Sequence, residues 1–160
     1  MEELLAKRLA TLSLNQTSFT HSDPSKLKIA YFIGSELNGR DVKWKKFTEK
    51  LQYEFSIEQV TGDMICQDCL VNHNFHILFM PGGFPSEHFF HIGEEIGREK
   101  VKSFLRERGK GYVGSCAGAY VALAQKEVDG TSLAEFMPKT LDLLEVGVLN
   151  FSHGCVTVMV

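Results

Sequence analysis

The run GYVGSCAGAY, residues 111 to 120, constrains this chain more than any other stretch of it. Tyr112 and Val113 suit a strand end, the alanine-rich stretch Ala119 to Ala124 suits a helix, and Gly114-Ser115-Cys116-Ala117-Gly118 lies between them. A turn that sharp holds its central side chain exposed and strained, and glycines on either side let neighbouring backbones pass without a Cβ clash. The following helix aims its free N–H groups and the positive end of its dipole at Cys116, a field that favours thiolate. The pattern predicts a nucleophile elbow with cysteine at its tip. A buried structural cysteine on a tight turn would also be served by glycine and alanine here.

A second glycine turn bears on that choice. Phe75 to Met80 is a continuous apolar run of strand length that stops at Pro81-Gly82-Gly83. In a parallel sheet this strand and the elbow strand would both end at the carboxyl edge, where open α/β folds place their sites. N–H groups of the Gly82-Gly83 turn would then join that of Ala117 as an oxyanion hole.

A strand ending in PGG, a helix, and a strand ending in G-x-C-x-G resemble the class I glutamine amidotransferase-like superfamily. PGGFP (81–85) followed by GSCAGAY (114–120) is most similar to the N-terminal domain of biotin–protein ligases, over roughly Lys28 to the C-terminus. The resemblance implies an α/β, flavodoxin-like three-layer sandwich with a mainly parallel sheet. In active members it also implies a cysteine nucleophile that hydrolyses an amide. Sharing fold and elbow does not by itself establish a reaction. Active amidotransferases carry a His-x-Glu pair beyond the elbow; here the histidine after Cys116 is His153, and Cys155 stands where the acidic residue would be. A related branch of cysteine peptidases and glyoxalases places a histidine on the elbow helix, at the position of Gln125, and a glutamate near the first strand, where this chain has Glu36. The segment that binds nucleotide and biotin in the ligase catalytic domain is not in this chain, so biotin transfer is not expected.

The aromatic stretch after PGG, Phe84 to His91, reads as a loop that forms a pocket wall or lid above the cysteine, or that fastens itself to the core through Phe89 and Phe90. His88, His91, Glu36 and Tyr120 are thus possible pocket residues beside Cys116 and His153. Cys66-Gln-Asp-Cys69, with His73 and His76 beyond, has ligands that zinc would accept. Cys66, Cys69 and Leu70 also suit one apolar helix face, no second C-x-x-C pairs with the cysteines, and buried thiols are the expectation. Neither metal nor cofactor is expected.

Around these motifs the chain reads as an N-terminal segment and one domain. Leu5, Leu9 and Leu12 share a helical face, so residues 1–26 read as an amphipathic helix and a polar linker, and 27–160 as the α/β domain. Strands are expected at Leu27 to Ile33 and Ser56 to Thr61. Helices are expected through Trp44, Phe47 and Leu51, with a solvated lysine face, and from Glu94 to Arg108. Leu149 to Val160 alternates and runs apolar to the last residue, like one strand; members of the family have further chain there, so the domain is expected to be shortened at its C-terminus. Such a strand is an edge hazard unless covered, which predicts self-association or a partner subunit there.

With 160 residues, 44% of them hydrophobic, the chain is long enough for a sizeable core. A net charge of −3 argues against nucleic acid. The longest apolar runs fall short of a membrane span. Four cysteines without an export signal point to reduced thiols and a cytoplasmic setting. Two functions remain open at this stage: a binding or regulatory module for a small amide or carboxylate, and a cysteine-dependent amidohydrolase or amidotransferase.

Overall fold

The computed structural model describes residues 26–34, 49, 55–124, 129, 131, 133–136, 138–143, 150–152 and 155–159. The expected N-terminal helix and linker, the helix through Trp44, and Glu36, Gln125 and His153 lie outside the described residues.

The first three strands are β1 (Leu27–Phe32), β2 (Phe55–Val60) and β3 (Ile77–Met80). They are followed by β4 (Gly111–Ser115), β5 (Asn150–Ser152) and β6 (Cys155–Met159). The sheet order is β2-β1-β3-β4-β6-β5. Its first four members are parallel, so the order 2-1-3-4 is that of a flavodoxin-like α/β fold. β6 runs antiparallel to β4, and β5 antiparallel to β6. The strand order reverses between β1 and β3. That switch point is where folds of this class leave a crevice at the carboxyl edge.

Helices α1 (Gly62–Cys66) and α2 (Cys69–Asn72) lead into β3, α3 (Pro85–His91) and α4 (Glu94–Leu105) lead into β4, and α5 (Ala117–Val121) follows it. A short α6 spans Leu133–Phe136. The Thr61 hydroxyl caps α1 by accepting the Met64 N–H at 3.3 Å. Asp68, at φ 62°, breaks what sequence periodicity joins into one helix. Helix α4 turns Val101, Phe104 and Leu105 inward; with Phe32, Leu78 and Tyr112 they are among the fully buried side chains of the core.

Two expectations change. The aromatic stretch after PGG is largely helix α3, because Pro85 at its first turn has the φ a helix needs and no N–H to lose there. The apolar C-terminal stretch is two strands, β5 and β6, paired antiparallel, because Ser152-His-Gly154 interrupts the alternation in the sequence. The valine-rich β6 is therefore interior along Cys155 to Thr157, and the edge belongs to the three-residue β5. A short edge strand is one way proteins limit edge-to-edge pairing.

At the amino edge of the sheet, His76 joins three strands although it precedes β3. Its N–H donates to Lys28 O at 2.9 Å, its carbonyl accepts the Gly111 N–H at 2.8 Å, and its Nδ1 accepts the Lys28 N–H at 3.0 Å. Burial lowers its pKa from the usual 6.5, as do the nearby Lys110 and Lys28 ammonium groups. Lys28 itself is held by Glu58 at 2.9 Å and by the His73 carbonyl at 3.1 Å. The folded protein thus binds a proton at His76 less readily than the unfolded chain does, and stability should be full above about pH 6.5 and fall as pH drops toward the lowered value. Urea midpoints measured from pH 7.5 down to 5.0 should decline, with a shallower decline in His76→Gln; an unchanged slope in that variant would remove His76 from the account.

Candidate functional site

Three chain segments converge at the carboxyl edge of the sheet. They are Ile33-Gly34 after β1, Pro81-Gly82-Gly83 after β3 and Cys116 after β4. Cys116 has φ 54° and ψ −114°, a backbone conformation that L-residues rarely adopt, and its side chain is exposed. The strain is local. It persists only where surrounding contacts over-determine it, at a cost of order 1–3 kcal/mol.

Those contacts are close approaches that only glycine permits. A Cβ on Gly118 would stand 2.1 Å from the Met80 carbonyl oxygen, and one on Gly114 would stand 2.4 Å from the Gly118 carbonyl oxygen. Helix α5 is therefore seated directly on the backbone ends of β3 and β4. The Cys116 carbonyl accepts from the Ala119 and Tyr120 N–H groups at 2.9 and 3.0 Å, which ties the turn into the first turn of the helix.

The PGG turn meets this corner, as the two motifs together require. A Cβ on Gly82 would lie 3.3 Å from Cys116 Cβ and 3.9 Å from its Sγ, so the missing side chain leaves room beside the thiol. Gly83 is exposed, while Ala117 and Gly118 are buried. Tyr120 is 38% exposed on α5, which packs against α3.

The two histidines of α3 differ. His88 is 1% exposed, its Nε2 donates to the Pro81 carbonyl at 2.7 Å, and its ring stands edge-on to Phe32. It buttresses the PGG turn from below, a role that its position in an aromatic stretch did not disclose. His91 is half-buried, with its ring edge-on to Phe90. Phe84 and Phe90 are more than half exposed and Phe89 is buried, so the anchoring expected of both Phe89 and Phe90 falls to Phe89.

The register of the C-terminal hairpin adds one placement. Cys155 pairs with Ser115 across the β4–β6 ladder, and Ser152 pairs with Cys155 across β5–β6. Cys155, the first residue of β6, thus stands beside the residue that precedes Cys116, and Ser152 lies one strand further out.

The other thiols are of another kind. Cys69 is buried in the core, and burial, then the charges of Asp68, Cys66 and Glu58, push its pKa up to about 12. Cys66 donates its S–H to the Ile92 carbonyl at 3.5 Å, and its pKa is raised chiefly by burial and then by Asp63. His73 stacks on Phe75 and His76 is committed to the sheet edge. Among the described residues no three His, Cys, Asp or Glu side chains are grouped as metal ligands. Among them, too, no helix is long and apolar enough to cross a membrane.

Two outcomes test this geometry. Gly118→Ala should destabilise by more than about 2 kcal/mol in chemical denaturation, although glycine to alanine in an open helix stabilises by about 1 kcal/mol. A stabilised variant would show that α5 does not sit on the Met80 carbonyl. Iodoacetamide at pH 8 under native conditions should label Cys116 before Cys66 and Cys69 in peptide mass spectrometry. Equal labelling would contradict their burial.

No match was found among curated proteins, and none among solved structures. A family model for the biotin-protein ligase N-terminal domain matches residues 33–139, from the end of β1 through the Cys116 turn and past α6. That family is consistent with the class I glutamine amidotransferase-like superfamily and with the α/β sheet found here. The match spans both glycine turns and most of the chain, and the protein therefore belongs to the biotin-protein ligase N-terminal family.

Proposed function

We propose that this domain is a binding or regulatory module whose pocket takes a small carbonyl or carboxylate compound beside Cys116. In this reading Cys116 is the tip of a nucleophile elbow that is kept as a reactive contact, without a complete catalytic triad. The N–H groups of Gly83 and Ala117 meet the ligand oxygen, with Gly82 leaving space for it. Acyl transfer by a cysteine needs a histidine to take its proton and return it to the leaving amine. The observation that carries the reading is the engagement of His88, which is nearly fully buried with its Nε2 committed to the Pro81 carbonyl of the turn. Helix α3 and Tyr120 form the flank of the pocket. Docking of a second copy or of another subunit is proposed at the β5 edge.

A second reading has its own support. The register sets Cys155 beside Ser115 and Ser152 one strand further out at the same level, which supports a reading in which His153, between them in sequence, is the base. If His153 reaches the thiol, Cys116 would attack an amide such as glutamine. Ammonia would leave with a proton returned by His153, and water would release the acyl group.

One pair of measurements separates them. On the first reading, millimolar glutamine or glutamate raises the melting temperature of the protein and of Cys116→Ala alike, and glutamine yields no ammonia above the Cys116→Ala background. Ammonia release abolished by Cys116→Ala and by His153→Asn, with a diazoketone glutamine analogue attached to Cys116 by mass, would replace it with the second. No thermal shift and no ammonia would overturn both for this substrate class.

A further inference from the structure

The contacts around Cys116 include one that neither the motif nor the family reading assigns. Tyr112 lies on β4 four positions before the cysteine, and its ring is fully buried. Its hydroxyl donates to the carbonyl of Gly118 at 2.5 Å, in the first turn of α5. The bond therefore bridges the strand and the helix on either side of Cys116.

Its partner is informative. In a continuing α-helix the Gly118 carbonyl would accept the Ala122 N–H. Here the Ala122 N–H turns instead to Ala119 O at 3.3 Å, and the Leu123 N–H to Tyr120 O at 3.0 Å, the tighter spacing of a 3₁₀ turn. The next carbonyls are claimed from outside as well. Val121 O accepts the Leu141 N–H at 2.7 Å, and Ala122 O accepts the Leu143 N–H at 3.2 Å. Asp142, between those donors, is paired with Lys102 of α4 at 3.1 Å. Helix α5 is thus stopped after little more than a turn and fixed at both ends. Of the holds that reach α5 from outside the helix, the Tyr112 bond is the one nearest to Cys116 in sequence.

We propose that Tyr112 is a positioning residue for Cys116: by taking the Gly118 carbonyl, its hydroxyl holds α5 against β4 and keeps Cys116 in its strained, outward conformation. Without that bond α5 keeps its seat on the Met80 carbonyl but its first turn is held less tightly, and conformers in which Cys116 relaxes and withdraws its Sγ from the PGG turn become more populated. Burial raises the phenol's pKa well above 10, so the donor stays protonated throughout the working pH range. The inference takes Cys116 to be the reactive centre, as both functional readings do. It requires no turnover.

Tyr112→Phe keeps the ring and removes the hydroxyl. The readout is the rate of Cys116 alkylation by iodoacetamide at pH 8, followed by peptide mass spectrometry at a temperature well below either protein's melting transition. A fall of about three- to tenfold is expected, what losing one hydrogen bond would do to the population of the strained conformer. A lowered melting temperature with a labelling rate within about twofold of wild type would overturn the proposal, since a bond that only added stability has that effect. If the variant does not fold, the wild-type protein decides: a slowly exchanging tyrosine hydroxyl proton in contact with the Gly118 and Ala119 protons is expected by NMR, and its absence would overturn the assignment. Because iodoacetamide reads the thiol directly, failure to bind or hydrolyse glutamine leaves this test intact, and its failure leaves the ligand question standing.

Discussion

Everything at the carboxyl edge depends on how closely α5 approaches the sheet. The Met80 carbonyl occupies the space where any larger residue at position 118 would put its Cβ, and the Gly118 carbonyl occupies the corresponding space at Gly114. This contact is steric and backbone-to-backbone, so it is indifferent to pH and salt. It joins β3, β4 and α5 into one rigid corner, and Cys116 inherits its geometry from that corner. The PGG turn is then propped against the thiol from the other side by buried His88. Local order of this sort allows a costly backbone conformation to persist, because relaxing one residue would require moving three elements.

Much of this was legible in the sequence because glycine and chain punctuation leave strong signals. The two glycine turns, the strands that precede them and the amphipathic α4 all fall where periodicity puts them, within the one to three residues by which element ends are uncertain. Side-chain roles were less legible. His88 looks like a pocket residue by spacing, and only burial and its bond to Pro81 reveal a buttress. Tyr112 reads as an ordinary aromatic strand residue, since a hydrogen bond to a carbonyl across a turn has no periodic signature. The break at Asp68 was hidden because a single αL residue leaves the apolar spacing of its neighbours intact. The division of the C-terminal stretch into β5 and β6 was hidden because an apolar alternation runs through both.

The family and the fold leave the chemistry to a small region. Cysteine, backbone N–H groups and an open space where a side chain is missing are enough to bind a polar carbonyl, while turnover asks in addition for a base. The buried histidine of α3 has its Nε2 committed to the Pro81 carbonyl. Cys66 and Cys69, with burial raising both thiols, belong to packing rather than to this region.

The direction of β6 has a practical side. Leaving the level of Ser115 at Cys155, it descends to pair Met159 with Gly111, so the backbone travels from the thiol toward the opposite rim of the sheet. The Met159 end of β6 thus lies at the rim of Gly111 and Lys110, a strand's length from the Cys116 sulfur. Immobilised through that rim, the molecule would present its Cys116 face to solution.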